Sequence, residues 1–514
     1  MKRYFLGIDI GPFESRGILT DESFRVAADA SLPHGMNNPQ PGWFEQEAEA
    51  VWWGDLCKLC RTLIKQSGIR PEQIACVGTS ALGTDCLPVD EQCRPLRPAI
   101  LYGIDARASE EAAWLTEHYG QARVQELFGH PICSGDTATK ILWLRRHEPE
   151  IYAKTAYFLT GSSFLTARLT GKYVIDQSLA KGSFRPLYQA DGGVNEAECG
   201  LYCRPDQIAA CAWSTDIVGT VTPEAAAQTG LAAGTPVITG TGDSTAEAIS
   251  VGLVEPGTAF FQYGSSMFYY YCTDHFVGSY VSPQGNGALK GGKAFTVPGT
   301  YCLGDGTNAA GTLTRWVRDL LYSKELDAEK QGGENAYAVM AREAAAVPPG
   351  SDGLIMLPYI YGERSPLQDA EATGMLFGLK GTHGRAQINR AALEAVGYST
   401  YQHLLLFEEL GVPPRRIITA GGGTKNAAWM QIICDMAGMP LTIPEPFQCS
   451  SYGDAMLAAL GVGALESFAA LRAALPQGRI LQPDRKNHEF YQEHYPIFRD
   501  LYLENRDRMH RMQK

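Results

Sequence analysis

Tyr4-Phe-Leu-Gly-Ile-Asp-Ile-Gly11 opens the chain with an apolar run that meets an aspartate, Asp9, and stops at a glycine. A run this short reads as a buried strand, and the glycine as the turn that ends it. Arg16-Gly-Ile-Leu-Thr20 then reads as the return strand of a hairpin. The arrangement comes back at Thr258-Ala-Phe-Phe-Gln-Tyr-Gly264, which runs into Ser265-Ser266 and returns through Met267–Cys272. A later strand, Arg416-Ile-Ile-Thr-Ala420, meets Gly421-Gly-Gly423. Strands at 73–79, 235–240 and 441–444 alternate with helices at 51–66, 105–118, 139–147, 157–169, 245–252, 427–438 and 452–463, and residues 490–514 read as a peripheral polar helix. Two halves that begin alike predict two similar α/β domains, 1–245 and 246–514; two unrelated α/β domains are the alternative.

Composition bounds the function. A chain of 514 residues holds two to four domains, and 45% hydrophobic against 19% charged residues is globular. With 44 Lys+Arg against 56 Asp+Glu the net charge is −12, which argues against nucleic acid as the main ligand. No apolar run approaches the ~20 residues of a membrane span, and the N-terminus lacks a cleavage pattern, so a cytoplasmic protein is expected. Thirteen cysteines, an odd and scattered set, fit that compartment. Cys57 and Cys60 form a lone CxxC on an expected helix, and Cys199 and Cys203 stand apart from any histidine; both pairs read as buried positions rather than metal or redox sites.

Three glycine turns end apolar strands: Asp9-Ile-Gly11, Gly264-Ser-Ser266 and Gly421-Gly-Gly423. Glycine lets backbone approach an anion closely, and turn amides donate to phosphate oxygens. Each turn alone is also compatible with an ordinary tight turn. Neither GxxxxGK[ST] nor a strand-linked GxGxxG is present, which disfavours P-loop and Rossmann readings. Asp9, at the end of a buried strand, needs a partner, water or a metal such as magnesium. Asp243, in Gly240-Thr-Gly-Asp-Ser-Thr245, reads either as a helix N-cap or as a general base for a hydroxyl.

Longer motifs carry a resemblance. Gly362-Glu-Arg-Ser-Pro366 continuing to Gly374-Met-Leu-Phe-Gly-Leu379, Asp136-Thr-Ala-Thr-Lys-Ile-Leu-Trp-Leu-Arg145 with His147-Glu-Pro149, and Leu159-Thr-Gly161 through to Asp176-Gln-Ser178 resemble the FGGY family of carbohydrate kinases over about residues 4–465. The resemblance implies two ribonuclease H-like (actin-like ATPase) domains with a central cleft, ATP and Mg2+ as cofactors, and γ-phosphoryl transfer to a primary hydroxyl. It implies Asp243 as base and Asp9 as the magnesium ligand through water. It puts Gly11, Gly264, Ser265, Ser266, Gly311, Arg315, Gly422, Gly423 and Asn426 on the nucleotide. Family members usually follow the first glycine with two hydroxyl residues, whereas Gly11 is followed here by Pro12-Phe13-Glu14. Proline has no amide hydrogen. Ser15 and Arg16 are the residues expected to replace the lost contact.

Asp90-Glu-Gln-Cys-Arg-Pro-Leu-Arg-Pro-Ala-Ile-Leu-Tyr-Gly-Ile-Asp-Ala-Arg107 resembles xylulokinase-like members, which implies Gly83, Thr84, Asp85 and Asp105 at the sugar; Asp105 alternatively caps the next helix. Trp43 follows a family pattern for a loop near the sugar, or packs. The expected acceptor is a small sugar or polyol, first a pentulose such as D-xylulose. Ribulose, a tetritol or pentitol, and an autoinducer-type polyol are the alternatives. A catalytically weak nucleotide-binding regulator and a hydrolase built on Asp9 and Asp243 are the competing classes. A homodimer is left open.

Overall fold

The computed structural model describes residues 2–445 and 449–513. Two compact units emerge: Met1–Val254 with Lys293–Tyr301 and Gln448–Leu475, and Glu255–Gly292 with Cys302–Phe447 and Pro476–Lys514. The first unit therefore extends past residue 245 and takes back a stretch near the other end of the chain.

In the first unit, β1 (Tyr4–Ile10) pairs antiparallel with β2 (Glu14–Asp21), and β2 pairs antiparallel with β3 (Val26–Pro33). On its other side β1 pairs parallel with β4 (Ile74–Ala81). With β5 (Ile217–Thr220) and β6 (Pro236–Ile238) the order is β5-β6-β4-β1-β2-β3, and the short β7 (Thr241–Gly242) adds to β4. Phe5, Leu6, Ile8 and Ile10 are all sealed. A strand covered on both faces reads as a continuous apolar run, which is why the opening stretch does not alternate.

One of those covers is the returning helix Ser450–Gly461, whose residues Ser450 through Ala459 are all buried. It packs on β1, β4 and the helix Asp243–Ser250. Contact this close requires glycine: a Cβ on Gly453 would stand 1.9 Å from the Ala246 carbonyl oxygen. Order along the chain had assigned this helix to the second half; its packing on β1, β4 and the helix Asp243–Ser250 assigns it to the first.

In the second unit, β8 (Thr258–Tyr263) pairs antiparallel with β9 (Met267–Thr273) and parallel with β11 (Arg416–Ala420). With β10 (Tyr301–Gly306), β12 (Leu441–Ile443) and β13 (Arg479–Leu481) the order is β10-β9-β8-β11-β12-β13. A central strand with a hairpin on one side and parallel strands on the other occurs in both units. The C-terminal helix, Arg485–Met512, is not peripheral: Tyr491, Tyr495, Phe498 and Tyr502 are buried in the core of this unit. Lys514 lies outside the described residues. The helix expected over 105–118 begins only at Ser109 and runs to Leu127, with Ala108 at its N-cap. Among the described residues no helix is long and apolar enough to cross a membrane.

Gly453→Ala is expected to lower stability by about 3 kcal/mol or more, because both clashing groups are backbone and cannot rotate away. Denaturant unfolding of the purified variant measures it; a loss below about 1 kcal/mol would contradict the packing described.

Candidate active site

β1 delivers Asp9, β4 delivers Ser80 and the returning helix delivers Asp454 to one spot in the first unit. Ser80 Oγ lies 2.7 Å from Asp9 Oδ1 and 2.7 Å from Asp454 Oδ2. A hydroxyl has one hydrogen, so it donates to only one of the two carboxyls, and the other contact needs a proton on the carboxyl itself. Burial, then the charge of Asp243, pushes Asp9 well above the ordinary carboxylate range against the pull of Ser80. Burial, then Asp9, does the same to Asp454. Asp454 Oδ1 is buried without a hydrogen-bond partner. This acid-rich patch offers the hard oxygens that magnesium takes. Among the described residues no group of three His, Cys, Asp or Glu side chains is arranged to ligate a metal directly. The donor set therefore fits a magnesium ion that keeps its water shell.

Asp243 begins the helix Asp243–Ser250 and is half-buried. It sits in the first turn, with Gly242 at the N-cap, and its Oδ1 accepts the Ser244 amide at 2.6 Å. Burial raises its pKa, opposed by the Ser244 amide and by the charge of Lys293. The turn before it is tied down from below: Asp176 Oδ2 accepts the hydroxyls of Thr241, at 2.8 Å, and of Ser178. Burial pushes Asp176 up to about 6.

The four residues expected at the sugar divide. Gly83 and Thr84 are partly open. Asp85 is sealed, with neither carboxyl oxygen hydrogen-bonded; burial pushes its pKa far up, and the nearby Lys140 ammonium pulls it down. Lys140 is sealed as well and donates to the carbonyls of Thr84 (2.6 Å) and Gly135 (3.0 Å), so it braces the loop from behind. Asp105 is neither a cap nor open: Arg107 takes it from both sides, and it also accepts the Arg107 and Phe44 amides. Two oxygens with four donors have no capacity left for a hydroxyl. Asp105 is thus committed to the Arg107 and Phe44 groups, whereas Asp85 is sealed with both carboxyl oxygens unpartnered. Trp43, next to the bound Phe44 amide, lies under the Arg107 guanidinium at 4.3 Å and edge-on to Trp143. Sequence reasoning missed Tyr102, half-buried, whose pKa is raised by burial first and then by the charges of nearby Asp243 and Asp85.

The first phosphate turn is sparse. The Gly11 amide is spent on Glu14 O at 3.0 Å, Pro12 has none, and Phe13 projects into solvent. Ser15 does not replace the missing hydroxyl. It points inward, bonded to His34 and Asp55. Neighbours on a strand face opposite ways, and Arg16, opposite Asp9 in the β1–β2 register, is the one on the Asp9 side. Arg16 pairs with Asp29 at 3.5 Å and lowers the Asp9 pKa.

In the second unit a pocket of about 600 Å³ gathers Gly264, Ser265, Gly311, Arg315, Gly422, Gly423 and Asn426. Ser266 is not on its wall; its carbonyl closes the turn on the Gly264 amide. Gly311 and Thr312 dock on the Gly264 and Ser265 carbonyls. Gly421, at φ +92°, would put a Cβ 2.6 Å from Tyr263 O, so the third turn admits only glycine. Asn426 caps the helix Ala427–Ala437 through the Trp429 amide. Lys425, inside the Gly421–Asn426 segment, and Tyr337, which carried no sequence signal, also line the pocket. Asp454 did carry one, an acid inside an otherwise Ala-rich buried helix. Cys57 and Cys60 are the buried helix positions expected of them, with Cys57 pushed up to about 11 by burial.

Comparison with known proteins accounts for nearly the whole chain. The family model described as FGGY family of carbohydrate kinases, N-terminal domain, matches residues 4–250, and its C-terminal counterpart matches 263–462. The chain is 29% identical to the xylulose kinase of Escherichia coli over 97% of this chain and 98% of that one. It is 28% identical to the gluconokinase of Bacillus subtilis over 98% and 96%. The crystal structure of xylulose kinase from Rhodospirillum rubrum superposes with a TM-score of 0.88 at 28% identity, covering 99% of this chain and all of that one.

Asp176 supplies a test of the site's electrostatics. Its carboxyl stays protonated in the folded chain up to about pH 6, whereas the unfolded chain releases the proton near the ordinary 3.8. The folded state binds more protons in that window, so this group's contribution is full below it and is lost as pH rises through it, by roughly 3 kcal/mol. Thermal melts from pH 4 to 6.5 should show Asp176→Asn gaining on the parent as pH rises; parallel curves would contradict the burial described.

Proposed function

The chain belongs to the FGGY family of carbohydrate kinases, with the actin-like ATPase fold, and on that premise we propose that its acceptor is a neutral ketose, D-xylulose first. The enzyme is an ATP-dependent phosphotransferase with an alcohol group as acceptor. In this reading Asp243 accepts the proton of the primary hydroxyl as the new P–O bond forms. A carboxylate held half-buried at a helix start, with a raised pKa, is a better base than one in water, and this observation carries the reading. Thr84 and Tyr102 present hydroxyls to the sugar, while Lys140 and Asp105 keep their loops in place. Asp9, with Arg16 at its side, orders the water shell of magnesium; the metal, when bound, neutralises the developing charge on the phosphoryl oxygens. The pocket of the second unit takes adenosine between Gly311 and the Gly422–Asn426 segment.

A neutral acceptor is favoured over an aldonate, which the gluconokinase relatives keep as the second reading. Asp9, Asp243, Asp454 and Asp85 already crowd this unit with acid. Lys140 is sealed with its ammonium on two carbonyls, which withholds it from a substrate carboxylate. A further anion would meet repulsion at low local dielectric. The sparse first phosphate turn supports the further alternative of a weak nucleotide-binding regulator.

A coupled ADP-release assay over D-xylulose, L-xylulose, ribulose, pentitols and gluconate tests all three. The expected result is sugar-dependent turnover, greatest with a neutral ketose, and reduced about 10²–10⁴-fold by Asp243→Asn with folding intact. Preference for gluconate would overturn the acceptor assignment, and nucleotide binding without turnover on any acceptor would favour the regulator.

A further inference from the structure

The signature segment Gly362-Glu-Arg-Ser-Pro366 does not line the pocket of its own unit, yet it holds a carboxyl deep inside. Glu363 is 2% exposed. Its Oε1 accepts two backbone amides, Asn308 and Arg364, each at 2.8 Å, while Oε2 is buried with no hydrogen-bond partner. The same segment grips the neighbouring loop at three more points. Asn308 Nδ2 donates to Tyr361 O, Arg364 Nε donates to Gly306 O, and the Ser365 amide donates to Gly306 O. That loop, 306–310, is the connection from β10 into the helix Gly311–Leu321. It is docked in turn on the second phosphate turn: the Thr307 amide on Met267 O, the Ala310 amide on Ser265 O and the Gly311 amide on Gly264 O. A continuous run of hydrogen bonds thus leads from Glu363 to the glycines proposed to meet phosphate.

We propose that Glu363 is a positioning residue for the nucleotide phosphates, acting through Asn308 and the 306–311 loop on the Gly264–Ser265 turn. The inference rests on the reading that the pocket beside Gly264 and Gly311 holds the nucleotide. Removing the carboxyl strands the Asn308 amide in a buried place and frees the loop that fixes the spacing of the turn from the helix start. Burial pushes Glu363 up to about 8, so the carboxyl is neutral at pH 7. The groups that face it are Arg364 on its own segment, which lowers that value, Asp305 on β10, which raises it, Lys290 paired to Asp305, and the buried Tyr359 hydroxyl. Above pH 8 an unpaired anion forms at Oε2, behind a turn that has to accept phosphate.

Calorimetric titration with ADP of the full chain, at pH 7 and pH 9, tests this in the parent, Glu363→Gln, Glu363→Ala and, as a control on the pocket, Gly423→Val. The expected results are an affinity about tenfold weaker for Glu363→Ala at pH 7, restored to within about threefold by Glu363→Gln, which keeps the acceptor oxygen. The parent should lose affinity between pH 7 and 9, and Glu363→Gln should not. An affinity for Glu363→Ala within about twofold of the parent would overturn the proposal. So would a pH dependence shared by the parent and Glu363→Gln, which decides the matter even if Glu363→Ala fails to fold. If Gly423→Val binds ADP normally, the pocket reading itself falls, and the proposal with it; if Gly423→Val alone is impaired, only the role of Glu363 falls.

Discussion

A single hydroxyl hydrogen, that of Ser80, lies between the carboxyls of Asp9 and Asp454, and much of the first unit is arranged around that shortage. Two buried carboxylates cannot both be charged against one donor without a cation or a proton to offset them. The acids are brought together by packing that leaves no slack: β1 and β4 lie side by side in the sheet, and the returning helix approaches its neighbours to backbone contact at Gly453. Asp243, at the head of the helix packed against that one, shares the same electrostatic environment and raises the pKa of Asp9.

The second unit is built differently. Its turns at Gly264 and Gly421 offer backbone rather than side-chain charge, and the backbone is held from behind by its own carbonyl acceptors and by the Tyr361–Ser365 segment. Phosphate recognition by amides depends on their direction more than on their number. The buttress therefore matters as much as the turn, and on the proposal above a buried carboxyl such as that of Glu363 serves the site without touching a ligand.

The fold was largely legible from the chain. Strand–turn–strand at Tyr4–Thr20 and again at Thr258–Cys272 gave both sheets their central hairpins, because a fully covered strand leaves an unbroken apolar run. The membership of Ser450–Gly461 was not legible, since an all-round apolar helix announces burial but not which partner buries it. For the site, motif position located Asp9 and Asp243 but could not show which way a side chain turns. Ser15 went inward because strand alternation sends it opposite to Arg16, and Asp105 was taken by Arg107, two residues away. Tyr102 meets Asp85 and Asp243 only in space, which no local pattern shows, and the acid at Asp454 stood out in its apolar helix without revealing Ser80 as its neighbour.

The return of residues 450–461 to the first unit also has a consequence for synthesis. The first unit is not a contiguous segment, so a ribosome that has completed β7 and the helix Asp243–Ser250 has made a sheet whose β1 and β4 still lack a cover. At ~5–20 residues per second, roughly ten to forty seconds pass before that cover emerges. During that interval an apolar sheet face, ending in Asp9 and Ser80, stands open on the nascent chain. Completion of this half is thereby deferred until the other half is nearly made.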